Sequence, residues 1–344
     1  MKLEIERLEG VLNHSWSSAA ASYSKRVGLR LRLSNVDGLM GFGEVAPLPG
    51  YSVEPLSKAF DELSSFELNA LEPVLGGTEP AQMARENHEL HGLSAAARCG
   101  LEMALLDLVS RARGVAMHRL FTADAAASVS AAALVPWGPS AIEHAVACVH
   151  EGATTLKVKL ARDISGQLES LYALRAAVGP EVKLRLDANG APGLAPADAA
   201  RIRGRIAELN PEFVEEPGAL RDPEKNVFPV ALDESLQSLG GADELAGRVA
   251  DTGASYVVLK PMLLGGLTRC HALALAAEDA GAKAVVSHLV DGPIAFAAYG
   301  HLACALSNGV AAGLGPHPGL QAFGAAASSG YRISRSDAPG IGVG

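Results

Sequence analysis

Hydrophobic and polar positions alternate along the first 45 residues and then give way to a helical spacing. Three alternating segments separated by turn residues predict a small antiparallel meander. These predicted strands lie at residues 3–12, 26–34 and 39–45. The segments that follow place apolar residues every three or four positions, which predicts helices near 55–70, 79–91 and 94–113. The first 120 residues therefore read as an α+β unit.

From about residue 128 the pattern changes to short apolar runs that alternate with helix-length segments. Eight such runs recur at intervals of about 26–28 residues, with one shorter interval, which predicts a (β/α) barrel over residues 121–317. The runs lie at 129–134, 156–160, 183–187, 212–216, 230–233, 256–260, 284–288 and 310–314. The short interval separates the fourth and fifth runs, so the helix between them should be short or irregular. The tail of residues 318–344 is expected to return to the N-terminal unit.

Composition and charge narrow the class of protein. The chain has 344 residues and a formal net charge of −9, without a basic run, so nucleic acid and anionic lipid are not expected partners. No apolar run approaches the length of a membrane span, and the first ten residues lack the apolar core of a secretory signal. Four scattered cysteines form no CxxC pair and are expected to be buried thiols. A cytoplasmic location is the expectation.

Candidate chemistry lies where the predicted strands end. Six consecutive strands finish on polar or ionisable side chains, and the carboxyl ends of barrel strands form the mouth of such a barrel. These residues are Lys157, Lys159, Asp187, Asn189, Glu215, Glu216, Asp233, Glu234, Lys260, Ser287 and His288. Taken alone, a K-x-K strand is usually half-solvated and an acid after a strand is usually a helix cap. Their recurrence on consecutive strands favours one shared site.

Three of the acids suit a divalent cation. Asp187, Glu215 and Asp233 would converge from neighbouring strands and offer hard oxygen ligands, which Mg²⁺ or Mn²⁺ prefers. Without a cation, three such carboxylates would repel one another. The sequence therefore predicts a metal site at the mouth of the barrel.

The lysines add proton chemistry to that site. Side chains two apart on a strand share a face, so Lys157 and Lys159 both point into the barrel, while Lys260 approaches from the other side of the acids. A neutral lysine beside a dication could abstract a proton next to a substrate carboxylate, because nearby positive charge favours the neutral amine. A small-molecule carboxylate is therefore the expected substrate.

The same motifs resemble those of the enolase superfamily, in its muconate-lactonising subgroup, and occur in the family's order. They are K-x-K at 157–159, LDAN at 186–189, EEP at 215–217, LDES at 232–235 and LKP at 259–261. GFGEVAPLPGYSVE at 41–54 and GLEMALLDL at 100–108 look like o-succinylbenzoate synthase. The resemblance implies an N-terminal α+β domain that caps a barrel of the enolase-superfamily type. It also implies dehydration of 2-succinyl-6-hydroxy-2,4-cyclohexadiene-1-carboxylate to 2-succinylbenzoate in menaquinone biosynthesis.

The resemblance also implies a role for each site residue. The implied ligands of Mg²⁺, with Mn²⁺ as a substitute, are Asp187, Glu215 and Asp233. Lys159 would remove the α-proton and then assist departure of the hydroxyl, and Lys260 would stabilise the enediolate. The residues implied to support these groups or the substrate are Lys157, Asn189, Glu234, Ser287 and His288. Loops near 14–26 and 47–54 would cover the mouth.

Several alternatives stay open at this point. SHLVDGP at 287–293 stands where many such synthases carry a serine-rich stretch, and a lone strand-end histidine is more often structural. An N-acylamino-acid racemase or a muconate-type cycloisomerase would use the same lysines and metal. A phosphate-binding aldolase-type barrel, with glycines after strand eight, and a non-catalytic metal-binding barrel are more distant readings. The sequence leaves the oligomeric state open.

Overall fold

The N-terminal unit is built on a three-stranded antiparallel sheet. The computed structural model describes residues 1–17, 22–191, 194–222, 226–323 and 329–343. The sheet has the order β1-β2-β3, with strands β1 Lys2–Ser17, β2 Ser22–Ser34 and β3 Met40–Val45. Between β2 and β3 the Asn35 side chain accepts from the backbone N–H groups of Asp37 and Leu39, at 3.1 and 2.9 Å. This Asx turn reverses the chain between β2 and β3 of the predicted meander.

The helices of this unit are α1 Leu56–Ser64, α2 Glu72–Gly76, α3 Pro80–Glu86, α4 His88–His91 and α5 Ala95–Ala112. Helix α5 covers the sheet, and the other helices of this unit pack against α5. The predicted helix at 79–91 is interrupted by Asn87, whose extended backbone and side chain cap α4. Helix α5 is buried almost throughout and lies directly on β3. A Cβ at Gly43 would lie 2.1 Å from the Gly100 carbonyl oxygen, so glycine permits this close approach.

Most of the remaining described residues form the predicted barrel. Seven parallel strands follow the order β11-β10-β9-β8-β7-β6-β5. The strands from this region are β4 Ser128–Ser130, β5 Ala133–Val135, β6 Thr155–Lys159, β7 Lys183–Asp187, β8 Phe213–Glu215, β9 Val230–Leu232, β10 Tyr256–Leu259, β11 Lys283–Val286 and β12 Arg332–Ser334. The helices are α6 Ala141–His150, α7 Ile164–Val178, α8 Pro196–Glu208, α9 Ala242–Thr252, α10 Pro261–Leu264, α11 Leu267–Asp279 and α12 Pro293–Leu306. Between β8 and β9 the described residues contain a 3-10 turn, Gly218–Leu220, in place of a helix.

Two predicted strands differ from the structure. The run at 129–134 divides: β4 pairs antiparallel with β12, and only β5 joins the barrel. The run at 310–314 forms no continuous strand and closes the ring through isolated bridges, Ala131 to Ala312 and Ser287 to Gly313. Residues 312 and 313 thus each bond to a different neighbouring segment, and neither pairing is long enough to form a regular ladder. The physical cause is local hydrogen bonding, which an apolar run cannot specify.

The chain's last described residues contact both parts of the molecule. Gly340 accepts from the Met117 N–H at 2.9 Å, and the Ile341 N–H donates to Asp107 of α5 at 2.7 Å. The 3-10 segment Pro318–Phe323 lies against β1, where a Cβ at Gly10 would overlap the Ala322 carbonyl group. Tail contacts therefore reach the N-terminal sheet, helix α5 and, through β12, the barrel.

Within these ranges, none of the helices has the length and apolar character that a bilayer crossing requires.

Candidate active site

The carboxyl ends of the barrel strands meet in one cavity of about 120 Å³. The ionisable residues on its wall are Lys157, Lys159, Arg185, Asp187, Glu215, Glu234, Lys260, His288 and His317. Phe213, Val258 and Val285 stand two residues before Glu215, Lys260 and Ser287 on their strands, and they pack together inside the barrel. Since side chains two apart share a face, this apolar layer forms the floor that directs the polar ends into the mouth.

Lys157 lies between two acids. Its Nζ is 3.1 Å from Asp187 Oδ2 and forms an ion pair with Glu215 Oε2. Burial alone would lower the pKa of this lysine, but the neighbouring carboxylates of Asp187 and Glu215 outweigh it and raise the pKa well above its usual range. Lys157 is therefore held as a cation.

Lys260 and Asp233 form a second buried pair on the other side of the acids. The Lys260 Nζ lies 2.5 Å from Asp233 Oδ2. Burial opposes the charged amine, yet the Asp233 carboxylate raises the pKa of Lys260. The second oxygen of Asp233, Oδ1, is buried and has no hydrogen-bond partner among the described residues. This oxygen has the lone pairs to accept a further ligand.

Lys159 has the loosest contact with an acid. Its Nζ is 3.9 Å from Asp187 Oδ2, and 39% of its side chain is exposed, against 23% for Lys157 and 11% for Lys260. The three lysines therefore fall into different environments although all line one cavity.

The buried acids of the site alter one another's pKa. Burial raises the pKa of Glu215, Lys157 opposes that rise, and the nearby charges of Asp187 and Asp233 add to it. Burial pushes the pKa of Asp187 up as well, but the lysines around it lower it overall. The pKa of Glu234 rises to about 7, first through burial and then through the charge of Asp233. Added positive charge at this site would relieve the repulsion.

Glu216 holds the loop that carries Asp233. Its Oε1 accepts from the Asp233 N–H at 2.7 Å, the Ser235 N–H at 3.0 Å and the Ser235 hydroxyl at 2.7 Å. The backbone of Glu216 has φ 40°, a left-handed conformation that turns the chain after β8. Glu216 was included among the polar strand-end residues of the sequence but was assigned no role. The second acid of the EEP motif was the sequence feature that could have indicated one.

Asn189 supports Asp187 from behind. Its backbone N–H donates to Asp187 Oδ1 at 3.2 Å, and its side-chain amide donates to the Asp187 carbonyl oxygen at 3.4 Å. Asn189 has a φ of 44°, a left-handed backbone conformation just after the end of the strand. The neighbouring acid thus has a fixed orientation before any ligand binds.

The acids fit a divalent cation by their chemistry. Asp187, Glu215 and Asp233 are all buried and supply hard oxygens, and Asp233 Oδ1 has no other partner in the described ranges. No three His, Cys, Asp or Glu side chains among the described residues form a ready coordination cluster. The lysine ammonium groups are bonded to these acids instead, so a cation would compete with Lys157 and Lys260 for the same oxygens.

Ser287 and His288 have local partners. The Ser287 hydroxyl donates to the Gly313 carbonyl oxygen at 3.1 Å, and His288 Nδ1 accepts from the Val290 N–H at 2.9 Å. Burial lowers the pKa of His288 to about 3, with the charges of His317 and Lys260 adding to the effect. A neutral, backbone-bonded imidazole shapes the wall of the cavity more than it takes part in proton transfer.

His317 was absent from the predicted site yet lines the same cavity. Its Nδ1 accepts from the Gly319 N–H at 3.0 Å, and its ring lies 5.8 Å from the His288 ring. Burial lowers its pKa to about 4, and Lys159 contributes. The histidine between two prolines in GPHPG was the only sequence signal.

The N-terminal unit supplies one wall of the cavity. Leu48 and Tyr51 line it, as expected for the loop at 47–54. Of the other expected loop, at 14–26, residues 18–21 lie outside the described residues, and those on either side belong to β1 and β2. A loop is therefore the wrong description of most of that segment, because strand pairing continues to Ser17 and resumes at Ser22.

The chain is similar to known proteins along most of its length. Residues 140–344 match the family model described as Enolase C-terminal domain-like. The chain is 30% identical over 301 residues to o-succinylbenzoate synthase of Edwardsiella ictaluri, which covers 84% of this chain and 82% of that protein. It is 24% identical over 326 residues to L-Ala-D/L-Glu epimerase of Bacillus subtilis, covering 90% and 86%. A match to the chloroplastic protein PHYLLO of Arabidopsis thaliana is 29% identical over 301 residues, and this chain spans only 17% of that protein's length.

Solved structures share the whole architecture. A dipeptide epimerase from Enterococcus faecalis, crystallised with Mg and the dipeptide L-Leu-L-Tyr, superposes with a TM-score of 0.83. The superposition covers 99% of this chain and 98% of that one at 22% sequence identity. Likeness at this level of identity concerns the fold.

Proposed function

The chain belongs to the enolase superfamily, in its muconate-lactonising subgroup, and from this premise we propose that it is a divalent-metal-dependent o-succinylbenzoate synthase. The observation that carries the proposal is the placement of Lys159 and Lys260 on opposite sides of a buried acid cluster. Strands β7, β8 and β9 lie between the strands that bear them. A planar carboxylate substrate in the cavity would therefore meet one amine on each side.

The acids are the proposed metal site. Asp187, Glu215 and Asp233 would hold Mg²⁺, or Mn²⁺ in its place, and the cation would supply positive charge against the substrate carboxylate as its α-proton leaves. Lys157, whose Nζ contacts Asp187 and Glu215, would lie beside the bound cation and face the substrate carboxylate. Asn189 and Glu216 would keep Asp187 and the Asp233 loop in place through the bonds described above.

Lys159 is the proposed base. It has the most exposed side chain and the longest carboxylate contact of the three lysines, so it is the one most available to exchange a proton with a substrate. It takes the α-proton of the cyclohexadiene carboxylate and then donates that proton to the departing hydroxyl. The C–O bond breaks with its electron pair, water leaves, and the ring becomes aromatic.

Lys260 is the proposed electrostatic partner. It is buried, paired with Asp233 and held positive, which suits it to stabilise negative charge and not to accept a proton. Its position opposite Lys159 places this charge on the other side of the substrate.

The charge distribution of the wall favours an acyl substrate over a dipeptide. Among the described lining residues, the carboxylates Asp187, Glu215 and Glu234 all stand on the metal side. The opposite wall is formed by Ser287, His317 and glycine backbone, without an acid to pair with a free ammonium group. A succinyl side chain needs no acidic counter-charge on that wall, whereas the amino terminus of a dipeptide would lack one.

Racemisation of N-acylamino acids is the second candidate. It needs the same two amines on opposite faces and no ammonium site, and the relatives include epimerases. The lysines alone do not separate it from dehydration.

The test supplies the purified protein with 2-succinyl-6-hydroxy-2,4-cyclohexadiene-1-carboxylate and Mg²⁺. We expect formation of 2-succinylbenzoate, followed by absorbance and mass spectrometry, with loss of activity in EDTA and recovery on adding Mg²⁺. N-succinyl amino acids and L-Ala-L-Glu are incubated in D₂O in parallel. Absence of the aromatic product together with deuterium exchange at an α-carbon would assign a racemase or epimerase instead.

A further inference from the structure

A second cleft, of about 720 Å³, lies outside the barrel mouth where the N-terminal helices meet α9 and α11. Four cationic or basic side chains line it, namely Arg85, His91, Arg98 and Arg269. Its two acids, Asp243 and Asp279, are both exposed to solvent. In a chain with a net charge of −9, this is a local excess of positive charge.

Arg98 is the feature that points to a ligand. Arg98 is only 6% exposed, and its Nε is buried without a hydrogen-bond partner among the described residues. The nearest acid on its helix, Glu102, is instead bonded by the Thr268 N–H and hydroxyl at 2.9 and 2.6 Å. A buried Nε–H without an acceptor is unfavourable, so an acceptor that enters the cleft from outside would stabilise Arg98.

Repulsion within the cleft supports this interpretation. Burial lowers the pKa of Arg98; the charge of Glu102 opposes this, and that of Arg269 adds to it. Arg269 is half-buried and donates to the Leu239 carbonyl oxygen, which fixes it near the start of α9. Two guanidinium groups kept near one another would both gain from an anion between them.

The start of α9 opens into the same cleft. Gly240, Gly241 and Ala242 line it, and the helix has eleven residues with no side-chain cap at Gly241. Glu244 accepts from the Gly240 N–H at 2.7 Å, and a Cβ at Gly241 would meet open space. The first free N–H groups of a helix and its dipole favour an anion at this position.

We propose that this cleft binds the phosphate group of a small phosphate-bearing anion, with Arg98 as its buried anchor and Arg269 and the start of α9 completing the cradle. A tetrahedral oxyanion directs three or more oxygens outward in different directions, so it can accept from guanidinium groups and helix N–H groups on different sides, whereas the two oxygens of a carboxylate lie in one plane. The proposal is independent of the reaction assigned to the barrel mouth.

The test is isothermal titration of the full-length protein at low ionic strength with inorganic phosphate, glycerol 3-phosphate and succinate. We expect saturable binding of the first two and at least tenfold weaker binding of succinate. Tighter binding of glycerol 3-phosphate than of phosphate would identify a phosphorylated metabolite as the source, and the reverse order would identify free phosphate.

Variants locate the site. Arg98→Met should weaken phosphate binding at least tenfold, and Arg269→Gln, at a half-buried position, provides a second measurement if Arg98→Met fails to fold. Arg248→Gln removes an arginine from α9 outside the cleft lining and should bind phosphate as the wild type does. Phosphate should raise the melting temperature of the wild type and of Arg248→Gln, but not that of Arg98→Met.

Three results would overturn the proposal. They are no saturable phosphate binding by the wild type, an equal loss of affinity in Arg248→Gln, and succinate binding as tight as that of phosphate.

Discussion

Lys157 and Lys159 stand two residues apart on one strand but have different surroundings. Lys157 is bonded to two buried acids, whereas Lys159 reaches only Asp187, at 3.9 Å, and is more exposed. Strand periodicity places both amines in the cavity, but only the packing of β7 beside β6, and of β8 beside β7, gives them different neighbours. The proposed assignment of Lys159 as base and Lys157 as a supporting cation rests on this difference.

Removing the Lys159 amine should strongly reduce turnover without preventing Mg²⁺ from binding to the acids. For Lys159→Ala we expect at least a hundredfold fall in kcat, the usual scale of general acid–base catalysis, with Mg²⁺ still raising the melting temperature. Steady-state dehydration assays and thermal melts measure the two effects. Lys283→Ala, at the exposed start of β11, is the matched control. A kcat within threefold of the wild type would rule out Lys159 as the base.

At the element scale, two buried ionisable side chains join the N-terminal sheet to the barrel. Arg26 of β2 donates to the carbonyl oxygens of Ala46 at 2.7 Å and Val290 at 3.1 Å. Glu44 of β3 accepts from the N–H groups of Gly292 and Ile294 at the start of α12. Since Leu48, Leu289 and Val290 line the cavity, these contacts fix two of its walls. In SHLVDGP the residues after the strand are therefore held by the N-terminal unit.

Glu44 should make stability depend on pH. Burial, and then the charge of Asp291, raise its pKa from 4.5 to about 7. The folded protein thus keeps a proton that the unfolded chain releases above about pH 4.5, so stability falls as pH rises from 4.5 to 7 and then levels off. Relative to Glu44→Gln, the wild type should lose on the order of 3 kcal/mol over this range.

Urea unfolding of both proteins between pH 5 and 8 checks this expectation. Glu9→Gln, an exposed change in the same sheet, should show no such trend. Asp291 and Arg26 face Glu44 and are present in both proteins, so the difference between the proteins reports Glu44 together with its interaction with Asp291. A stability gap that stays constant with pH would contradict the assignment.

At the scale of the whole molecule, the tail fastens the two parts together. The Ile341 N–H donates to Asp107, His301 contacts the Ile341 carbonyl oxygen at 3.1 Å, and Arg111 donates to that of Val343 at 2.8 Å. His301 belongs to α12 of the barrel, whereas Asp107 and Arg111 belong to α5 of the N-terminal unit. The partners of the tail thus come from both sides of the junction.

Deleting residues 338–344 should destabilise the protein. The deletion leaves buried Asp107 and His301 with fewer partners, and we expect the melting temperature to fall by about 5 °C or more. Asp337→Ala, in the exposed part of the same tail, should change it little. Differential scanning fluorimetry compares the three proteins. An unchanged melting temperature after the deletion would show that these contacts are dispensable.

The sequence by itself determined the barrel, its strand ends and the chemical character of its mouth. Apolar runs specify where strands are buried, and the residues that follow them must reach the same edge of a parallel sheet. The order of those residues also carried the resemblance to the superfamily. Local patterns thus sufficed to predict the location of residues whose place in the barrel is fixed by chain order and strand direction.

Only the tertiary structure decided which groups pair. Glu216 and His317 join the site through loops whose left-handed turns and backbone bonds leave no periodic signal. The bridges that replace an eighth strand, and the cleft around Arg98, depend on segments distant along the chain. Pair distances, burial and therefore charge state depend on packing between elements, and no single segment encodes that packing.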